Sequence, residues 1–360
     1  MPNIMELFGK VWDAVRQGEA ELRFTARIPT DQIRNDNEPP GVSFEREKHY
    51  FQMRVNELYL HTTRQWATTY DPMVFFVSEF DYRGKDKRIA TPFLVGPSLI
   101  KDYGVKPPAN LVLQDTRVAG LHPYRGGRLT VSVTLCQVKR EDYVRKFFHM
   151  LESTAQVLDF TTALSASLKV AGVVLEGIQT LAGAGDTQSL VSVRHEFDPD
   201  GSDEVRPGYF VLVDEDERKV DPGQLFVRNR RLVAGKDIDS AVSFRQASYV
   251  LYSLIQTIPR SDYTSLPFYD QWAEVEREAN EPNEKGKARA KAILSAMVLK
   301  MLQSPDLTED HADLLEKELT DRMLALHERA VRRGSRAAGD TRKRTRLDQI
   351  RDRAGSILDL

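Results

Sequence analysis

The sequence has a single cysteine, Cys136, among its 360 residues. One cysteine excludes an internal disulfide and every zinc module that needs several cysteine ligands. No segment matches the glycine-rich phosphate loop, the dinucleotide-binding glycine pattern, HExxH or GxSxG, which removes the commonest signals of nucleotide-binding proteins and hydrolases. We therefore expect no cofactor, and we favour a protein without catalysis.

An excess of charge of one sign is also missing. Lys and Arg number 51 and Asp and Glu number 53, so the formal net charge is −2. This balance argues against a protein whose whole surface serves a polyanion. The hydrophobic content of 41% excludes global disorder. A chain of this length usually holds two domains, or one domain with large additions.

The chain also lacks a clear membrane-spanning run. The most apolar window, residues 160–185, contains Lys169, Glu176 and many small side chains, whereas a span needs about 20 mostly apolar residues. We favour a helix that lies flat on a sheet, and a helix that meets a membrane after a conformational change stays open. The start of the sequence lacks the basic and apolar regions of a secretory signal. We expect a cytoplasmic protein, with peripheral membrane association on activation as an alternative.

Alternating polar and apolar residues predict an antiparallel sheet. The clearest case is residues 128–138, where Leu129, Val131, Val133 and Leu135 alternate with hydroxyl side chains and Cys136. Such alternation predicts a half-buried strand. Similar patterns predict strands at residues 50–60, 73–80, 111–120, 190–197, 208–214, 224–233 and 247–258.

Helical periodicity interrupts and then follows these strands. Residues 141–160 and 161–182 predict a helical hairpin that ends at Gly183. Ser265 is a candidate cap for a helix that follows Pro259, and Thr308 is a candidate cap for a long helix that ends at Gly334.

Strands grouped apart from helices indicate an α+β fold rather than a doubly wound sheet. We expect an antiparallel β-sandwich core over residues 1–280, with the helical insertion at about 141–183. A C-terminal helical hairpin over 285–334 and a basic tail over 335–360 complete the predicted organisation. A flexible break at 334–341 would separate that hairpin from a short last helix.

Candidate catalytic residues surround His122 in the segment GLHPYRGGR. With Asp115 and Arg117, His122 could act as a base, since histidine titrates near neutral pH. The same segment has the proline and paired glycines of a turn between strands, which is the interpretation we favour.

The acidic segment 198–204 offers Asp198, Asp200 and Asp203 as calcium ligands. The spacing does not fit an EF-hand, because its glycine and glutamate come too early. Calcium-binding loop tips of a lipid-binding β-sandwich remain an alternative to a solvated loop.

Positive charge concentrates near the C-terminus. Residues 329–353 contain ten Arg or Lys and three acidic residues, a local balance of +7. Such a segment attracts phosphates, acidic lipids or an acidic protein, although a solvated helix end is the simpler interpretation. The candidate partner-binding or anion-binding residues are Arg332, Arg333, Arg336, Arg342, Lys343, Arg344 and Arg346.

The segments HPYRGGR (122–128) and RSDYTSLPFYDQW (260–272) carry a resemblance to a known group of proteins. The chain resembles accessory and effector proteins of bacterial anti-phage conflict systems that are associated with caspase-like peptidases. The resemblance implies a non-enzymatic partner, effector or proteolytic substrate in the bacterial cytosol, and it assigns no catalytic residue.

The primary hypothesis is therefore an interaction or effector protein of a bacterial defence system. Its β-core would bind a partner protein, such as a caspase-like peptidase, and its basic helical C-terminus would be presented or released to that partner, to nucleic acid or to an anionic membrane. The alternatives are a calcium-binding or anionic-lipid-binding module and a hydrolase-like enzyme centred on His122.

Overall fold

The computed structural model describes residues 4–17, 23–34, 42–62, 64–65, 68–81, 88–96, 111–141, 146–147, 149–151, 154, 164–199, 204–257 and 260–358. The helices are α1 (Ile4–Val15), α2 (Leu164–Gly183), α3 (Trp272–Ala279), α4 (Glu284–Leu302) and α5 (Glu309–Leu358). The strands are β1 (Arg23–Arg27), β2 (Ile33–Arg34), β3 (Tyr50–Tyr59), β4 (Arg64–Gln65), β5 (Thr68–Asp81), β6 (Arg88–Val95), β7 (Leu111–Pro123), β8 (Leu129–Lys139), β9 (Thr187–Phe197), β10 (Gly208–Asp216), β11 (Leu225–Arg228), β12 (Arg231–Ala234), β13 (Val242–Ser243) and β14 (Tyr249–Thr257). The chain forms two compact units, Met1–Ser261 and Asp262–Leu360.

The described strands of the N-terminal unit form three sheets. The first has the order β1-β10-β14-β3-β7, and the second has the order β4-β5-β8-β9 with β6 paired to β5. Both are antiparallel throughout. A small third sheet has the order β13-β12-β11-β2, in which β11 and β2 run parallel. The predicted α+β class, with an antiparallel sheet core, is confirmed.

The first and second sheets pack face to face around the main core. Phe76 of β5 meets Tyr252 of β14 edge-on, with ring centroids 5.8 Å apart. Phe51 of β3 meets Phe80 of β5 in the same way at 5.0 Å. The third sheet covers the other side of the first sheet, where Leu232 packs in a cluster with Tyr249.

The prediction that strand β8 is half-buried is wrong. Thr130, Ser132 and Thr134 are completely buried, because helices α1 and α2 belong to the same core cluster as the second sheet and add a helical layer to it. The register of β5 explains why this face accepts helices. Phe75 lies beside Thr134 and Val77 beside Ser132, so the hydroxyl side chains of β8 share their face with large apolar neighbours.

The helical insertion is described in part. Helix α2 confirms the predicted second helix, and a left-handed Gly185 follows its C-terminus with φ +70°. Of the predicted first helix, residues 146–147, 149–151 and 154 are helical, and the rest of 141–160 lies outside the described residues. Buried Leu151 packs against Gly177 of α2, since a Cβ added there would lie 2.2 Å from a Leu151 methyl carbon.

The C-terminal unit is a helical domain with its own core. Trp272 of α3, Met297 of α4 and Leu319 of α5 belong to one buried cluster. Helix α3 belongs to this unit, so the β-core ends near residue 261 rather than at 280. The Thr308 hydroxyl accepts the His311 N–H over 3.3 Å, as expected of a cap.

Two helix boundaries differ from the sequence prediction. The chain around Ser265 forms short 3-10 turns, and helix α3 begins only at Trp272. Leu266 is extended because it precedes Pro267, and a residue before proline disfavours helical geometry. Helix α5 continues through 334–341 without the expected break. Glycine costs a helix about 1 kcal/mol, which does not end a helix that lacks proline and retains good helix formers.

Candidate functional site

An open cavity of about 470 Å³ lies at the tip of the β11–β12 hairpin. Three of its seven lining residues are arginines, and three others carry amide or hydroxyl groups. The lining residues are Asn56, Arg228, Asn229, Arg230, Arg231, Val233 and Ser243. A concave surface with this set of positive charges and hydrogen-bonding groups is suited to an anion.

The cavity depends on a turn that the sequence did not reveal. Residues 224–233 were expected to form one strand, and this is wrong, because β11 and β12 are separate strands paired as a hairpin. Asn229 and Arg230 connect them with φ of +52° and +62°. Two successive left-handed residues define a tight hairpin turn that usually has Asn-Gly or Asp-Gly. Since Arg230 stands where glycine is usual, the sequence carries no clear turn signal.

Arg228 is held firmly at the end of β11. One of its Nη atoms donates to the carbonyl oxygens of Ile238 and Asp239, and the other donates to that of Ala241, each over 3.0 Å. Arg231 lies directly opposite Arg228 across the hairpin and is exposed. The turn therefore concentrates positive charge in four consecutive residues.

The floor of the cavity comes from strand β3. Asn56 is buried and is the extra residue of a bulge, since Val55 and Glu57 pair with the adjacent residues Tyr252 and Leu251 of β14. Bulges of this kind redirect a side chain. The neighbouring Glu57 carboxylate accepts the Leu232 N–H over 2.9 Å and pairs with Arg245.

His122 lies in the main core of the N-terminal unit. Its ring stacks on Phe80 with centroids 4.8 Å apart and meets Phe51 at 5.5 Å. Burial, aided by the positive charge of Arg260, lowers the pKa of His122 to about 3. An imidazole with this pKa is a weak base at neutral pH.

Two of the three candidate catalytic residues, Arg117 and His122, lie on opposite faces of strand β7. In the register of β3 and β7, Arg117 lies opposite Arg54 and His122 lies opposite Phe51. Because Phe51 and Arg54 are three positions apart on a strand, their side chains lie on opposite faces. Asp115 is on β7, but its side chain lies outside the described residues.

The acidic loop offers little to a cation in the described residues. The Asp198 carboxylate accepts a hydrogen bond from Arg128 over 3.1 Å, and Asp200 and Asp203 lie outside the described part. Within that part, no group of three or more His, Cys, Asp or Glu side chains is arranged to hold a metal ion.

The candidate basic residues all lie on helix α5. Arg332 and Arg333 are exposed, and an Arg332 Nη atom is 3.6 Å from the Glu328 carboxylate. The remaining candidates follow along the same helix, with side chains outside the described residues: Arg336, Arg342, Lys343, Arg344 and Arg346. Among the helical residues searched, no helix has both the length and the apolar character needed to cross a membrane.

Comparisons with known protein families, with curated proteins and with solved structures find no match for this chain.

Proposed function

We propose that this protein is a non-catalytic binding protein whose C-terminal unit presents a basic helix to duplex nucleic acid. The continuity of α5 from Glu309 to Leu358 carries the proposal. At the usual rise, this helix of 50 residues is about 75 Å long, whereas the 19 residues of α4 span about 28 Å. A Cβ on Gly334 would lie 3.2 Å from Pro282, which precedes α4. Residues 335–358 therefore extend the helix beyond its pairing with α4.

The charge of the extension favours phosphates as the target. Six of the seven basic residues between 335 and 358 are arginines, and guanidinium groups match the geometry of phosphate oxygens. The major groove of B-form DNA admits an α-helix, whereas that of an RNA duplex is too narrow. Residues 329–353 contain no aromatic side chain, whereas single-strand binding usually relies on aromatic stacking.

The other parts of the primary hypothesis have separate support. The low pKa of His122 and its separation from Arg117 support a role without catalysis at that position. The bacterial defence setting and the partner protein of the β-core rest on the resemblance at 122–128 and 260–272, and they remain predictions.

Fluorescence anisotropy of the full chain with a labelled DNA duplex, measured over a range of salt concentrations, tests the proposal. One variant replaces four cations of α5: Arg342→Gln, Lys343→Gln, Arg344→Gln and Arg346→Gln. The expected result is weaker binding and a shallower plot of log affinity against log salt, by about 3.6 if four phosphate contacts are lost.

The matched control removes four exposed lysines of the same unit: Lys285→Gln, Lys291→Gln, Lys300→Gln and Lys317→Gln. We expect this control to retain most of the affinity and the salt dependence. Equal losses in both variants would contradict a specific role for α5. Binding to anionic vesicles but not to the duplex would favour the lipid alternative instead.

A further inference from the structure

We propose that the arginine-lined cavity of the N-terminal unit binds the phosphate group of a small phosphorylated molecule. The site consists of residues from β3, the β11–β12 hairpin and β13. It shares no residue with α5, so it is a second binding site and does not depend on the proposed nucleic-acid function.

Two features of the β11–β12 hairpin are unfavourable for its stability. Arg228 and Arg231 are direct cross-strand partners, and like charges in such positions destabilise a strand pair. Arg230 has φ +62°, a conformation that glycine adopts far more readily than a residue with a long side chain. Both features fall within four consecutive residues. Unfavourable features that cluster at one concave site point to a function that retains them.

The positive charge is positioned before any ligand arrives. The three carbonyl contacts of Arg228 fix its guanidinium group beside the cavity. An anion that enters the cavity would therefore find this charge already ordered, which reduces the entropic cost of binding.

The nearby carboxylates have partners of their own. Asp239 pairs with Arg34, and Glu57 pairs with Arg245. The Asp237 carboxylate accepts the backbone N–H groups of Asp239 and Ser240. Arg34 and Arg245 balance the charges of Asp239 and Glu57, so the three arginines of the cavity lining outnumber the one remaining carboxylate among these, Asp237. A ligand anion would therefore meet a net positive environment at the cavity.

The lining indicates the chemical class of the ligand. Guanidinium groups match phosphate oxygens, and the amides of Asn56 and Asn229 and the hydroxyl of Ser243 add hydrogen-bonding groups. Among the described residues, the lining contains no aromatic ring on which a nucleobase could stack. The volume is in the usual range for small-molecule sites and exceeds the space that one inorganic ion needs. A phosphorylated sugar or an oligophosphate fits these features best.

Isothermal titration calorimetry of the full chain with inorganic pyrophosphate at low salt tests the inference. We expect saturable binding of one pyrophosphate per chain. Arg231→Gln should weaken it by about tenfold or more, because a charge-assisted hydrogen bond is lost. Arg231→Lys should have an intermediate effect, since it keeps the charge but loses the planar fork.

Arg218→Gln is the matched control, because Arg218 is an exposed arginine of the same unit outside the cavity lining. The inference would be overturned if pyrophosphate did not bind saturably. It would also be overturned if Arg218→Gln weakened binding as much as Arg231→Gln. The α5 variant with four substitutions should bind pyrophosphate normally, whereas a loss there would assign the binding to the basic helix. Arg231→Gln should leave duplex binding unchanged, so this proposal and the proposed function can fail separately.

Discussion

The guanidinium of Arg245 donates to the Glu57 carboxylate over 3.1 Å, and the same carboxylate accepts the Leu232 N–H over 2.9 Å. Glu57 belongs to the first sheet and Leu232 to the third. A single buried carboxylate therefore joins the two sheets. The side chain of Glu57 is 1% exposed and that of Arg245 is 32% exposed, so the acid depends on this pair for the compensation of its buried charge.

Arg245→Ala should lower the free energy of unfolding by about 3 kcal/mol, near the low end for a broken buried pair because Arg245 is partly exposed. Urea denaturation measures the loss. Arg218→Ala, which removes a surface arginine paired with Asp216, should cost less than about 0.5 kcal/mol. Glu57→Gln should lower the free energy of unfolding less in the Arg245→Ala background than in the wild type. If the loss were the same in both backgrounds, the two effects would be additive and the coupling between the residues would be refuted.

The buried His122 predicts acid sensitivity. Its pKa of about 3 lies below the ordinary value of 6.5. Between these two pH values, the His122 side chain is protonated in the unfolded chain but neutral in the folded chain. The stability due to neutral His122 is present above pH 6.5 and is lost as the pH falls from 6.5 toward 3. Between pH 7 and pH 4 this contribution should fall by about 3 kcal/mol.

His122→Phe tests this prediction, because phenylalanine keeps a ring beside Phe51 and Phe80 but cannot be protonated. The variant should lose less stability than the wild type between pH 7 and pH 4 in urea denaturation. His149→Gln is the control at an exposed histidine and should retain the wild-type profile. Parallel pH profiles for His122→Phe and the wild type would show that His122 does not titrate as expected.

Glu79 predicts the opposite dependence on pH. Burial raises its pKa, although Arg194 lies 3.0 Å from one carboxylate oxygen and opposes the shift. A raised pKa means that the ionised form is less favourable in the folded chain. The stability associated with the protonated form is present below about pH 4.5 and is lost as the pH rises through the folded-state pKa.

The difference between Glu79→Gln and the wild type should therefore move in favour of the variant as the pH rises from 4.5 to 7. Glu204→Gln provides a control of opposite sign, since hydrogen bonds from Ser43 and Arg206 lower the pKa of Glu204. That variant should compare less favourably with the wild type at pH 7 than at low pH. If Glu79→Gln behaved in the same way as Glu204→Gln, the arginine pairs of Glu79 would outweigh its burial.

Strand β8 shows how far alternation in the sequence reaches. Its pattern identified the strand correctly, because the side chains of a strand point alternately to two faces. The pattern did not reveal that α1 and α2 cover the hydroxyl face. Phe75 and Val77 of β5 lie beside these hydroxyl side chains and make the face apolar, and the pairing of β5 with β8 cannot be read from β8 alone.

The sequence pattern does not predict the cavity, and the reason is local to the β11–β12 turn. The β11–β12 turn lacks glycine, so the run 224–233 has the appearance of one strand. The signal in the sequence was the group of arginines at 228, 230 and 231. In a continuous strand these residues would not converge, because Arg231 would face away from the other two. Only the hairpin pairing places Arg228 opposite Arg231.

Two glycines of helix α2 should respond to the same substitution with opposite signs. A Cβ at Gly177 would lie 2.2 Å from a methyl carbon of the buried Leu151, whereas a Cβ at Gly172 meets nothing within 4 Å. Gly172→Ala should stabilise the protein by about 1 kcal/mol through helix propensity. Gly177→Ala should destabilise it by about 1–2 kcal/mol, because overpacking outweighs that gain.

Thermal or urea unfolding of both variants measures the difference. Leu151→Ala in the Gly177→Ala background should cost less than Leu151→Ala alone, since the new methyl group occupies part of the vacated space. Equal stabilisation by the two glycine substitutions would show that Leu151 moves aside without cost, and it would remove the evidence for close packing at Gly177.

Arg230 should lower the stability of the hairpin while it strengthens anion binding. Its φ of +62° costs roughly 1 kcal/mol for a residue with a Cβ, so Arg230→Gly should raise the free energy of unfolding by about that amount. The same substitution removes one guanidinium from the cavity and should weaken pyrophosphate binding. Asn229→Gly is the comparison in the same turn. It should change stability less, since asparagine tolerates left-handed geometry, and it should weaken binding less, since it removes an amide and not a charge. A less stable Arg230→Gly protein would mean that the arginine side chain supports the hairpin, and the cluster of unfavourable features would then no longer argue for a ligand.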